Sequence, residues 1–189
     1  GARGEGEWLG AIPSAELPHT VNPPAGFLVT ANHRIVPEPE ASRLTYLWEP
    51  PYRAVRIVER LEAVAAPTPE SFRAIHRDVR SHQALGILTG LIGPLAPRLT
   101  RPRARAAAAL LLAWAGSHEA ESAPAALYHV LYDELLQRAV AEPLEAARPG
   151  LGARYLSLLH LPMCAVDALL TEDGGDSDAD ARQPMLERA

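Results

Sequence analysis

Gly26-Phe27-Leu28-Val29-Thr30-Ala31-Asn32-His33-Arg34-Ile35 and Pro50-Pro51-Tyr52-Arg53-Ala54-Val55-Arg56-Ile57 are the stretches on which the reading of this chain turns. The first is a short apolar run that stops abruptly at a polar tripeptide. It reads as a strand over 26–31, bounded by Gly26 and by Asn32-His33-Arg34. Amide, imidazole and guanidinium donors are then presented where a strand ends, which is the equipment for holding an oxyanion. The second stretch reads as a helix opened by prolines, with Ala54, Ile57, Val58, Leu61 and Val64/Ala65 at helical spacing.

Composition sets the frame around these stretches. At 189 residues, with 48% hydrophobic and 22% charged residues, the chain suits one domain with a real core. Only 5% of residues are aromatic, and Ala and Leu carry most of the apolar content, which favours helices. The 18 basic residues are all arginine, yet acidic residues outnumber them and the net charge of −5 argues against general nucleic-acid affinity. The local run Arg98–Arg105 reads as a solvated loop and helix start, without the aromatics of a nucleic-acid groove. The single cysteine, Cys164, excludes an internal disulfide and reads as a small buried hydrophobe. No apolar run has the length of a membrane span. The chain opens on Gly1 with no Met, basic n-region or apolar h-region, and we read this as a start after processing or within a longer gene product.

Further along, residues 1–25 read as a Gly- and Pro-rich extended loop and Thr45–Trp48 as a second short strand. Thr68, Pro69 and Glu70 form a helix start, with Phe72, Ile75, His76 and Val79 on one face of the helix. Residues 84–95 read as a looser apolar segment broken by Gly86, Gly90, Gly93 and Pro94. Helices are expected over Arg103–Ala115, over 124–141 with Leu127, Val130, Leu131, Leu135 and Ala139 inward, and over 152–170. The acidic residues 171–189 read as a disordered tail.

These blocks, with Trp8-Leu9-Gly10-Ala11-Ile12-Pro13 ahead of them, resemble part of the penicillin acylase family of N-terminal-nucleophile amide hydrolases. That family shows a Trp-Leu-Gly-Ala-Ile-Pro-type loop, an Asn-Pro segment, an apolar strand entering Thr-Ala-Asn-(Asn)-Arg, and then Pro-Pro-Tyr-Arg-Ala-x-Arg-Ile. Ser71–Ser81 is similar to the helix that follows in the family, and Trp114-Ala115-Gly116 with Pro124–Tyr128 to its next landmarks. The resemblance runs continuously over about residues 7–140. It implies an α+β fold class: a predominantly helical fragment with one or two strands, from an αββα N-terminal-nucleophile hydrolase fold. Residues 1–170 would be a partial β-chain segment.

The resemblance also implies a chemistry. In the family a serine at the new N-terminus of the β chain attacks, with its own α-amine as base. By motif position Asn32 matches the Asn that holds the tetrahedral intermediate, and Arg53 an arginine that orients the site. Where the family often has Asn-Asn, this chain has Asn32-His33, so His33 is either the donor itself or an ordinary polar neighbour. Residue 1 offers no hydroxyl, and the only Gly-Ser pair, Gly116-Ser117, lacks the residues expected after a nucleophile; Ser117 reads as a loop or cap residue.

His19, His76, His82, His118, His129 and His160 form no metal motif, and His76 and His129 read as core or boundary residues. The family often binds a structural calcium, but no ligands for it align here, and no cofactor is identified. The implied partners are an α chain, the remaining β-chain segments and a small-molecule amide substrate, with no nucleic acid and no membrane; the implied setting is periplasmic or secreted, in antibiotic metabolism. Two readings of function stand: a fragment of an acylase cleaving a non-peptide carbon–nitrogen bond, silent in isolation, or a non-catalytic helical remnant or interaction domain of the same family.

Overall fold

The computed structural model describes residues 10–37, 40–45, 47–158 and 166–167. The leading residues run as exposed coil with one 3-10 turn at Ser14–Glu16. After the short helix α1 (Glu40–Leu44), α2 (Tyr52–Glu62) starts directly after Pro51. Helix α3 (Pro69–His76) begins at Thr68 in a reciprocal capping box: the Ser71 N–H donates to Thr68 Oγ1 at 3.2 Å and the Thr68 N–H to Ser71 Oγ at 2.9 Å. Two orphan donors are satisfied locally, which is why the start of this helix could be read from the chain alone.

The centre of the molecule is the segment expected to be loose. Helix α4 (His82–Ile87), capped by Ser81, continues through a π turn over Leu88–Ile92, α5 (Gly93–Leu95) and a 3-10 turn at Ala96–Arg98. Ala84, Ile87, Leu88, Leu91, Ile92, Leu95 and Leu99 are all buried, a helical stripe along one side of this run. Gly86 and Gly90 lie on the exposed side, so their cost in helix propensity is offset by the packed face. Helix α6 (Pro102–Leu112) contributes Ala108 and Leu111 to the same core. Helix α7 (Ala123–Leu136) contributes Tyr128, Leu131, Tyr132, Leu135 and Leu136, whereas Val130 is 60% exposed and not inward. A π turn at Gln137–Ala141 leads into α8 (Glu142–Ala147), and α9 (Leu151–Leu156) folds back on it.

The strand expectations are corrected. Among the described residues there is no strand, and the segment 26–31 is extended chain that ends in a single parallel bridge between His33 and Glu49. A strand is completed by its neighbours, and residues 27–30 have none here. Among the described residues, the same bridge, at Glu49, is all that forms beside the second expected strand, Thr45–Trp48. The helix expected over 152–170 spans Leu151–Leu156 as described, with Val166 and Asp167 helical and buried further on. Cys164 and the acidic stretch 171–189 lie outside the described residues.

Candidate functional site

Arg53 stands at the start of α2 and reaches back to the end of the extended segment. Its Nη2 donates to Asn32 Oδ1 at 2.7 Å, to Ala31 O at 3.1 Å and to Glu49 Oε2 at 2.7 Å. A guanidinium only donates, so the amide atom that faces it must be the oxygen. The Nδ2 end of Asn32 therefore points away from Arg53, at an exposed position. Asn32 itself has φ +60°, in the left-handed region that Asn tolerates better than most residues. The Glu49 N–H donates to Asn32 O at 2.9 Å and holds this backbone in place.

His33, the other candidate, is half-buried, and its Nδ1 accepts a long 3.4 Å contact from the Ala31 N–H. The structure thus brings Asn32, His33 and Arg53 to one place, and Arg53 grips the Asn and not the His.

The next arginine along α2 ties the helix down. Arg56 Nε and Nη2 donate to the two oxygens of Asp78 at 2.9 and 2.6 Å, the fork geometry of an arginine–carboxylate pair. The Arg80 N–H adds a 3.1 Å bond to Asp78, and Arg60 lies 3.4 Å away. The hydrogen bond from Arg56 holds the Asp78 carboxyl below the usual carboxylate range despite its burial. Arg56 also reaches Glu59 at 3.0 Å, and that carboxylate meets His82 Nε2 at 3.0 Å. Arg53 and Arg56, three residues apart on one helix, thereby link the extended segment, α2 and the loop before α4. Alongside them opens a groove of about 590 Å³ walled by Leu28, Ile57, Leu61, Phe72, Ile75 and Val79 and bordered by Arg53. The apolar face of α3 lines this groove and is not in the core.

Other polar residues took different places than the sequence indicated. His76 and His129 are exposed. His118 Nδ1 lies 3.1 Å from His129 Nε2, and burial, with the neighbouring His129, pushes the His118 imidazole below its ordinary value. Ser117 lies outside the helices in a single antiparallel bridge with Arg80, its carbonyl accepting from Trp114 Nε1 at 3.0 Å and its hydroxyl donating to Glu119. A buried polar cluster lies elsewhere: Asp167 accepts from Tyr132 Oη at 3.1 Å and from Gln83 Nε2 at 3.0 Å. Burial, followed by the Asp167 charge, pushes the Tyr132 phenol up. No spacing in the sequence links residues 83, 132 and 167. Among the described residues no group of three or more His, Cys, Asp or Glu side chains is placed to hold a metal ion. No described helix is long and apolar enough to cross a membrane.

Comparison with known proteins places the chain in a family. The family model for penicillin amidase matches residues 1–188. The chain belongs to the penicillin amidase family. It is 36% identical over 159 residues to the penicillin acylase 2 proenzyme of Pseudomonas sp. (strain SE83), a match covering 79% of this chain and 20% of that protein. It is 29% identical over 196 residues to the acyl-homoserine lactone acylase QuiP of Pseudomonas aeruginosa, covering 97% of this chain and 23% of that protein. The QuiP protein of Pseudomonas syringae pv. tomato is 32% identical over 142 residues, 69% of this chain and 17% of the relative. The chain thus spans between 17% and 23% of the length of these penicillin amidase relatives. The Asn32–Arg53 contact lies within the blocks that first pointed to the family.

Proposed function

We propose that this segment is the oxyanion-holding part of an acylase that cleaves a non-peptide carbon–nitrogen bond by acyl transfer through an acyl-enzyme. Attack on an amide carbonyl turns its oxygen into an oxyanion, and a fixed N–H donor aimed at that oxygen lowers the barrier. Asn32 Nδ2 is that donor in this reading. Arg53, always charged, holds Oδ1 and so fixes the amide's orientation before substrate arrives. His33 flanks the donor.

In this reading the attacking hydroxyl and its α-amine base come from polypeptide outside these 189 residues, within the N-terminal-nucleophile fold of the complete protein. An α chain and the other β-chain segments are then its partners. The relatives support the reaction class, since their names describe acylases.

The 2.7 Å contact from Arg53 Nη2 to Asn32 Oδ1 carries the reading, because it is the feature that aims the amide. The test is hydrolysis of chromogenic acyl amides by the matured full-length protein. Asn32→Ala is expected to lower kcat by about 10²–10³-fold, the usual loss for one oxyanion donor. Residues 1–189 alone are expected to be silent. Unchanged kcat in Asn32→Ala, or turnover by the isolated segment that Asn32→Ala abolishes, would overturn the reading.

A further inference from the structure

Arg53 has a second side-chain partner besides Asn32, the carboxylate of Glu49. Arg53 Nη2 carries two hydrogens and faces three acceptors, of which Glu49 Oε2 is one of the two nearest at 2.7 Å. The Arg53 side chain is 58% exposed, so on its own it has many rotamers available and little to select the one that reaches Asn32. A carboxylate at this distance selects it. Pro50 and Pro51 join Glu49 to α2, and their fixed φ keeps the carboxylate and the helix start in a constant relation.

Glu49 also holds Asn32 through the backbone, because its N–H donates to Asn32 O at 2.9 Å. The oxyanion candidate is therefore gripped twice by one residue. One grip acts on its left-handed backbone, and the other acts through Arg53 on its side-chain oxygen.

We propose that Glu49 is a positioning residue for the oxyanion donor, acting through Arg53 to hold the amide of Asn32 in its productive orientation. The proposal rests on the reading of Asn32 given above. Glu49 touches no reacting atom; its carboxylate fixes the guanidinium, and the guanidinium fixes the amide. Length matters as well as charge. An aspartate would fall one methylene short of Nη2, whereas a glutamine keeps the reach with a neutral acceptor.

The experiment measures kcat and KM of the matured full-length protein on a chromogenic acyl anilide for Asn32→Ala, Arg53→Ala, Glu49→Ala, Glu49→Asp, Glu49→Gln and the Glu49→Ala/Arg53→Ala pair. Glu49→Ala and Glu49→Asp are expected to lose about tenfold in kcat with KM nearly unchanged, a loss the size of one charge-assisted hydrogen bond. Glu49→Gln is expected to recover most of that loss. Added to Arg53→Ala, Glu49→Ala is expected to cost nothing further, since its effect passes through the guanidinium.

Full kcat in Glu49→Ala, or losses that multiply in the double variant, would overturn the positioning role while a low kcat in Asn32→Ala leaves the oxyanion reading standing. If Asn32→Ala keeps full kcat, the oxyanion reading fails, and the positioning role with it. Thermal melts of each variant identify any loss that comes from unfolding, and Glu49→Gln, which keeps size and acceptor, then decides alone: a tenfold loss in that folded variant would overturn the proposal.

Discussion

Arg56 grips Asp78 through two parallel charge-assisted hydrogen bonds, and this pair fastens the helix bearing Arg53 to the loop that leads into the core. The side chains are 19% and 13% exposed, so water screens the pair only in part. The pair is the structural counterpart of the Asn32–Arg53 contact, three residues away on the same helix. One arginine anchors α2, and the other uses the anchored helix to reach the extended segment.

Removing one partner of this pair leaves a partly buried charge without its counterion. Asp78→Ala is expected to destabilise the fold by about 2–4 kcal/mol, somewhat below the range for fully buried pairs. Asp78→Asn keeps one acceptor and is expected to cost less. Chemical denaturation of the two variants checks both the size and the order; equal, near-zero effects would show the pair to be dispensable.

Acid weakens the same contact. Because the Asp78 carboxyl is held below its ordinary value, chiefly by Arg56, the folded state binds its proton less readily than the unfolded chain does. Its contribution is present above the unfolded carboxylate value of about 3.9 and is lost as pH falls through the lower folded value. Melting temperatures recorded between neutral pH and pH 2 are expected to fall more steeply for the wild-type chain than for Asp78→Ala. Parallel curves would count against this.

Gly116 sits where the turn after α6 meets the start of α4. It has φ +77°, and a Cβ there would lie 3.0 Å from the Leu85 side chain and 3.3 Å from Ser81 O. The Ser81 N–H donates to Gly116 O at 2.8 Å, so the turn cannot move off without losing that bond. Gly116→Ala is expected to cost about 1–3 kcal/mol, from the left-handed backbone and the crowding together. That corresponds to a drop of several degrees in Tm, measurable by calorimetry.

The imidazole pair gives a second pH signature, at higher pH. His118 titrates below its ordinary value because it is partly buried and faces His129. The unfolded chain therefore takes up this proton first, and stability is expected to rise with pH between the folded value of His118 and about 6.5. In an NMR titration His129→Ala should move the His118 midpoint upward, though not fully, since burial is the larger cause. A midpoint that stays in place would show that the neighbouring ring contributes nothing.

How far the chain could be read before folding depended on the range of the interactions. The Thr68 helix start, the proline-led start of α2 and the helices after Pro102 and Ser122 are local, and each is legible from neighbouring residues. Residues 84–95 read as loose from their glycines and Pro94, yet Gly86 and Gly90 face solvent while a continuous apolar stripe faces inward, a distinction that only packing makes. Val130 was placed inward by spacing alone, which marks a helix's apolar side but not which part of it a neighbour covers. The strand over 26–31 was expected from composition, yet a strand depends on partners that no single segment contains.

The sequence by itself determined the family, the helical character and the candidate trio Asn32, His33 and Arg53, because motif order and local propensity are properties of neighbouring residues. Only the tertiary structure decided that Arg53 holds Asn32 and not His33, that Glu49 closes that contact, and that Arg56 meets Asp78 across 22 positions. Those choices are made by distance in space, which the chain acquires when the buried stripe from Ala84 to Leu99 packs against α6 and α7 and α2 is pinned beside it.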